Sequence, residues 1–149
     1  MKKIIAVVMA LVMILSVTTV FADGATILIN GEKAVIGEGM GSVVEKQFRT
    51  FVPVRFVLEY FDYDVTWSDE DQLVLGRNVA GDIFVMQVGS PLLIFKGVDG
   101  SSKTINMDVT PFLNNEENRT YIPLRFIAEV LEYEVGWDEA TDTVTLDKK

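Results

Sequence analysis

Apolar and polar positions change rhythm along this chain in an order that occurs twice. Phe51-Val52 is short, apolar strand material, and Pro53 then ends the strand and opens a helix, since proline suits a first helical turn. Val54 to Phe61 predicts about two helical turns, with Phe56, Val57, Tyr60 and Phe61 at helical spacing on one side. Arg55 and Glu59 stand four apart, so they can meet on one helix face. The period then drops to two over Tyr63-Asp64-Val65-Thr66-Trp67, which predicts a half-buried strand. Ser68 to Gln72 is turn-rich and acidic, and Leu73 to Leu75 predicts the returning strand.

Seventy residues on, the order repeats. Arg49 to Trp67 aligns without gaps on Arg119 to Trp137, and nine of the nineteen pairs are identical. Tyr121-Ile122, Pro123, a helix over Leu124 to Leu131, the Arg125–Glu129 pair and the alternation Tyr133-Glu134-Val135-Gly136-Trp137 take the corresponding roles. Phe126, Ile127, Val130 and Leu131 form the apolar side of the second helix. Past the tryptophans the match continues with one inserted residue, setting Leu73-Val74-Leu75 beside Thr143-Val144-Thr145-Leu146. Upstream, Ile27-Leu28-Ile29-Asn30-Gly31 resembles Leu93-Ile94-Phe95-Lys96-Gly97. Ile83 to Val88 predicts a further strand, without a counterpart in the first copy and so shared between the two. Two copies at this period indicate a duplicated unit, not a solenoid.

The expected fold is α+β: two repeated units, residues 23–79 and 80–149, each a small antiparallel sheet on one short helix, packed with pseudo-twofold symmetry into one compact domain. Residues 1–22 read as a secretory signal peptide. Lys2 and Lys3 precede the apolar run Ile4 to Leu15, and Ser16, Thr18 and Thr19 dilute it before a cut between Ala22 and Asp23. An uncleaved membrane anchor is the alternative, since Ile4 to Phe21 could nearly span a bilayer. The expected location is therefore extracellular or at the cell envelope, with no membrane attachment after cleavage.

Charge and composition narrow the chemistry. The chain carries a formal −9, and removing the two lysines of the leader leaves −11. Acidity of that size, with no basic cluster, opposes binding to nucleic acid or anionic lipid. There is no cysteine, so stability rests on the core without disulfides. There is also no histidine, which removes Ser-His-Asp and Cys-His catalysis. Copper and zinc sites normally need imidazole or thiolate, and no cofactor is expected. Gly37-Glu38-Gly39-Met40-Gly41 suggests flexibility, not a phosphate loop.

What remains is weaker. Paired carboxylates could hydrolyse a glycoside, but a solvated acidic surface explains the acids more simply. Asp138, Asp142 and Asn114-Asn115-Glu116-Glu117-Asn118 could hold calcium, yet lack EF-hand spacing and read first as turns. Trp67 and Trp137 could stack on sugar rings. Their equivalent places in the two copies point first to two equivalent cores. Arg55 and Arg125 read first as partners of Glu59 and Glu129, and second as ligand contacts.

The motif Arg119-Thr120-Tyr121-Ile122-Pro123-Leu124-Arg125, with Ala128-Glu129 and Val135-Gly136-Trp137-Asp138, resembles the copper amine oxidase N-terminal domain family, also called the stalk domain; Arg49 to Trp67 matches it a second time. The resemblance covers essentially the whole chain after residue 22. It implies a small antiparallel sheet wrapped on a helix, in secreted bacterial proteins, without the oxidase's catalytic domain or its copper. The family usually carries glycine after the helix; Asp62 and Glu132 stand there, and a left-handed conformation would suit Asp better than Glu. The expected function is a non-catalytic stalk or interaction module for attachment or assembly, its partner an unknown protein or a cell-wall polysaccharide. A carbohydrate-binding module is the first alternative and a carboxylate-based hydrolase the second. Exposed strand edges could also pair two copies into a homodimer.

Overall fold

The computed structural model describes residues 24–149; the expected leader and the expected cut between Ala22 and Asp23 lie outside them. In chain order the elements are β1 (Thr26–Ile29), β2 (Glu32–Ala34), β3 (Val44–Lys46), β4 (Arg49–Pro53), α1 (Val54–Tyr60), β5 (Tyr63–Ser68), β6 (Leu73–Asn78), β7 (Ile83–Gln87), β8 (Leu92–Lys96), β9 (Ser102–Asn106), β10 (Phe112–Asn114), β11 (Arg119–Pro123), α2 (Leu124–Val130), β12 (Tyr133–Asp138) and β13 (Thr143–Lys148). The described residues are mostly β-sheet with two short helices, an α+β arrangement.

The repeated motifs meet in a central sheet of order β10-β11-β4-β3. Strands β4 and β11 run antiparallel, and Val52 pairs with Ile122, its own counterpart in the repeat. Both are fully buried. Each strand runs into its helix through proline. Pro53 and Pro123 occupy the N-cap, one residue before the first helical position, because each is still paired in the sheet. Both helices also stop one residue short of expectation: Phe61 and Leu131 are C-caps, followed by Asp62 (φ 61°) and Glu132 (φ 64°). Those two residues do adopt the left-handed turn that glycine favours.

Helix α1 packs on β4, β5 and β11, and α2 on β4, β9, β11 and β12, so each is covered from several sides. Burial therefore spreads beyond one stripe. Val54 and Leu58 are buried along with Phe56 and Val57, while Tyr60, expected on the inner side, is exposed and Phe61 only half-buried. Tyr60 instead packs edge-on against Phe61.

The outer sheets do not follow the sequence repeats. One has the order β12-β13-β1-β2 and the other β5-β6-β7-β8-β9. The opening hairpin of the first repeat, β1–β2, thus completes the closing hairpin of the second. It does so through a parallel pairing, Ile27 opposite Val144, so the expectation of purely antiparallel sheets, one per repeat, does not hold. Hairpin β8–β9 of the second repeat joins β5–β6 of the first through β7, which pairs with β6 on one side and β8 on the other. The shared strand expected over Ile83 to Val88 occupies that junction. One buried apolar cluster, from Ala25 to Leu146, runs through all three sheets.

The pairings also remove the insertion read after the tryptophans. Trp67 pairs with Val74 and Trp137 with Val144; Val65 pairs with Gly76 and Val135 with Leu146. Gly76 therefore stands where the second copy has Leu146. A Cβ on Gly76 would lie 2.9 Å from Cδ1 of Leu58. In the second copy the residue in Leu58's place is Ala128, beside a fully buried Leu146. Large-plus-none in one half answers small-plus-large in the other, as close packing requires.

Candidate functional site

Two clefts of nearly equal volume, about 360 and 380 Å³, are built from equivalent residues of the repeat. The first lies beside Pro123, Arg125 and Trp137, and is closed by Phe48, Arg49 and Thr50 from the other copy. The second lies beside Pro53, Arg55 and Trp67, and is closed by Asn118, Arg119 and Thr120. This follows from the central sheet: with β4 and β11 antiparallel, the start of each strand lies alongside the proline and first helical turn of the other copy. Similar volumes put the difference between the clefts in their lining.

In the second cleft the tryptophan is held. Trp67 is partly buried against the core, and its indole N–H donates to a carboxylate oxygen of Asp69. Arg55 lies 3.8 Å from Glu59, an exposed i,i+4 pair of little energetic weight. In the first cleft both groups are free. Trp137 is 49% exposed, so the expected core role fails there. Glu139 stands in place of Asp69, and among the described residues nothing accepts from the Trp137 indole N–H. Arg125 is exposed and, among the described residues, has no carboxylate within ion-pair distance; the expected Arg125–Glu129 bridge does not form. The ion pair of this cleft is instead Arg49 with Asp108, which leaves Arg49 Nε buried without an acceptor. Arg119 of the second cleft also lacks a carboxylate partner among the described residues.

Phe48 is the residue that sequence reasoning missed. Lys46 pairs with Arg49, so Gln47 and Phe48 form a two-residue hairpin turn, both left-handed at φ 52° and 57°. Such turns favour Asn-Gly, and a bulky residue at positive φ is an outlier. Yet Phe48 is 97% exposed. Its counterpart, Asn118, has nearly the same φ of 52° and is a residue that tolerates it. Extending the internal alignment one residue before Arg49 sets Phe48 beside Asn118, which is the signal that could have found it.

The acidic candidates resolve into turns. Asp138 accepts from the backbone of Ala140, and Asn114 from the backbones of Glu116 and Glu117. Glu117 also accepts from the Tyr121 hydroxyl, whose pKa is raised first by burial and then by that bond. Gly41, read as part of a flexible stretch, is tightly placed: at φ 97° its missing Cβ would lie 2.7 Å from the Tyr121 hydroxyl oxygen. Among the described residues no three acidic side chains gather as a metal site would need. The carboxyls with displaced pKa values, Asp99 and Glu132, both shift down, Asp99 through its bond from Ser101 and Glu132 through Lys103. A general acid needs the opposite direction.

The family model of the copper amine oxidase N-terminal domain matches residues 28–146, which takes in both motifs, both clefts and nearly every strand. The chain belongs to the copper amine oxidase N-terminal domain family. That family is a non-catalytic domain. Its name does not bring copper with it here. A chain without histidine or cysteine offers no imidazole or thiolate, and the residues of this stalk domain do not fit that metal. Neither the curated proteins nor the solved structures compared with this chain give a match.

Proposed function

We propose that this stalk-type chain is a non-catalytic module of the cell envelope or its exterior, serving attachment or assembly. Its two halves are related by a pseudo-twofold axis beside Val52 and Ile122. The symmetry rests on the pairing of those two counterparts and on the duplicated clefts. The observation that carries the reading is the first cleft, where a repeated tryptophan is turned out toward solvent in a family that does no chemistry. An exposed aromatic beside unpaired polar groups marks a recognition surface. The same observation favours the carbohydrate-binding alternative over a plain spacer, which would have no use for an exposed ring.

The test is co-sedimentation of the chain from residue 23 with isolated envelopes of its source cells. Saturable capture that excess unlabelled protein competes away is expected. A chain that stays in the supernatant at every concentration would overturn the proposal. Turnover of amines or glycosides by the same preparation would overturn its non-catalytic part.

A further inference from the structure

We infer that the cleft between the tip of the β3–β4 hairpin and strand β12 binds a neutral pyranose segment of a polysaccharide, gripped by Trp137 and Phe48. This rests on the binding-module reading above and names the ligand class.

Conformation supplies the first argument. Phe48 adopts a backbone shape unfavourable for a bulky side chain while burying almost none of its ring. Its counterpart Asn118, at the end of the longer loop between Asn114 and Arg119, holds nearly the same φ with a residue that tolerates it. Strain without a packing return is characteristic of functional positions. Trp137, lining the same cleft, is the second exposed ring. Aromatic faces match the C–H faces of pyranose rings, and the free indole N–H is a donor for a ring hydroxyl.

Charge supplies the second. Arg49 is neutralised by Asp108, which leaves the Arg125 guanidinium and the Glu45 carboxylate as opposite charges on the lining. Glu45 already accepts a hydrogen bond of 2.8 Å from the Thr50 hydroxyl. A donor fork and an acceptor with no net charge suit hydroxyl groups, which both donate and accept. A polyanion would find no excess positive charge here, on a chain of −9 overall. A volume of about 360 Å³ is at the small end of ligand sites, fit for one ring or two of a longer polymer.

An extended peptide is the rival occupant, because β3 and β12 are both sheet edges. Such a strand would bind through backbone groups and would need neither a left-handed Phe48 nor a free indole.

The test uses the chain from residue 23 carrying Trp67→Phe, so that emission reports Trp137. It is titrated with the hexaoses of glucose, xylose and N-acetylglucosamine, with polygalacturonate, and with a strand-forming peptide. We expect at least one neutral hexaose to blue-shift the emission saturably and to protect it from iodide. Adding Phe48→Asn should weaken that binding by about tenfold, the loss of one stacked ring, without lowering the melting temperature. Arg55→Ala in the other cleft should change nothing. The inference is overturned if no neutral hexaose shifts the emission, or if only polygalacturonate or only the peptide does. It is equally overturned if Phe48→Asn leaves the affinity unchanged, or merely dissolves a dimer. Envelope capture that persists while every hexaose is silent would sink the saccharide inference and leave the attachment reading standing.

Discussion

The first and second clefts are the same construction finished in two ways. Each sets an arginine and a tryptophan of one copy against an Arg-Thr pair of the other. In the second, Asp69 holds the indole and Glu59 lies near the guanidinium, and asparagine makes the left-handed turn. In the first, neither contact forms, and phenylalanine occupies the left-handed position. The second cleft holds its indole and has asparagine at the left-handed position, although its Arg119 has no carboxylate partner among the described residues. The first leaves the rings of Phe48 and Trp137 exposed and Arg125 without a partner among the described residues, and the proposal for these three residues rests on that contrast.

The largest effect we predict tests whether the two halves are one packing scheme with volumes exchanged. Gly76→Leu should destabilise by roughly 3 kcal/mol or more, since the new side chain meets Leu58 in a closed core. Leu58→Ala alone should cost about 2–5 kcal/mol. The double variant, which copies the Ala128–Leu146 arrangement, should return to within about 1.5 kcal/mol of the parent by urea unfolding. Simple additivity of the two losses would break the comparison.

A second difference between the halves is read by alkaline unfolding. Burial, and next the Asp82 charge, push the Tyr63 hydroxyl from its usual 10.0 to about 12. The folded state therefore favours the neutral phenol. Its contribution should be fully present below pH 10 and decline as pH rises through about 12. Tyr63→Phe should flatten that limb of the stability profile, and an unaltered decline would show that Tyr63 is not its source.

Smaller shifts sharpen the contrast at the turns. Phe48→Asn should raise stability by about 1 kcal/mol, and Asn118→Phe should lower it by a similar amount, both by thermal melting. Equal melting temperatures for the two exchanges would remove the strain on which Phe48's assignment depends. The smallest change should come from Asp62→Gly after α1, a gain of about 0.5 kcal/mol, since Asp already tolerates the left-handed turn better than most residues. A loss there would mean that the Asp62 side chain, not its backbone shape, matters.

Much of this was legible in the amino-acid order because it is local. Proline after Phe51-Val52, the helical spacing of Phe56 and Val57, and the alternation from Tyr63 to Trp67 each concern neighbours a few residues apart. The glycine that the resembled family carries after its helix pointed to the left-handed positions at Asp62 and Glu132. The apolar run after each proline left the buried arc of α1 open, because Tyr60 and Leu58 trade places only once β5 and β11 close on the helix. Trp137 misled for a related reason. An equivalent position implies an equivalent core only when its partners are also repeated, and Asp69 is not repeated.

By itself, then, the sequence determined the duplication, the strand-helix-hairpin order of each motif, the family and the exclusion of thiolate and imidazole chemistry. All of these follow from residue type and short-range period. Only the tertiary structure decided that β1–β2 completes the sheet of the other copy, that Gly76 and Leu58 balance Ala128 and Leu146, and that Phe48 and Trp137 flank one open cleft. Strand order depends on contacts between residues far apart in the chain, such as Ile27 with Val144, and the volume matching on which strand a helix packs against, as Leu58 does against Gly76. No local pattern specifies such a partner; one shared hydrophobic core selects it.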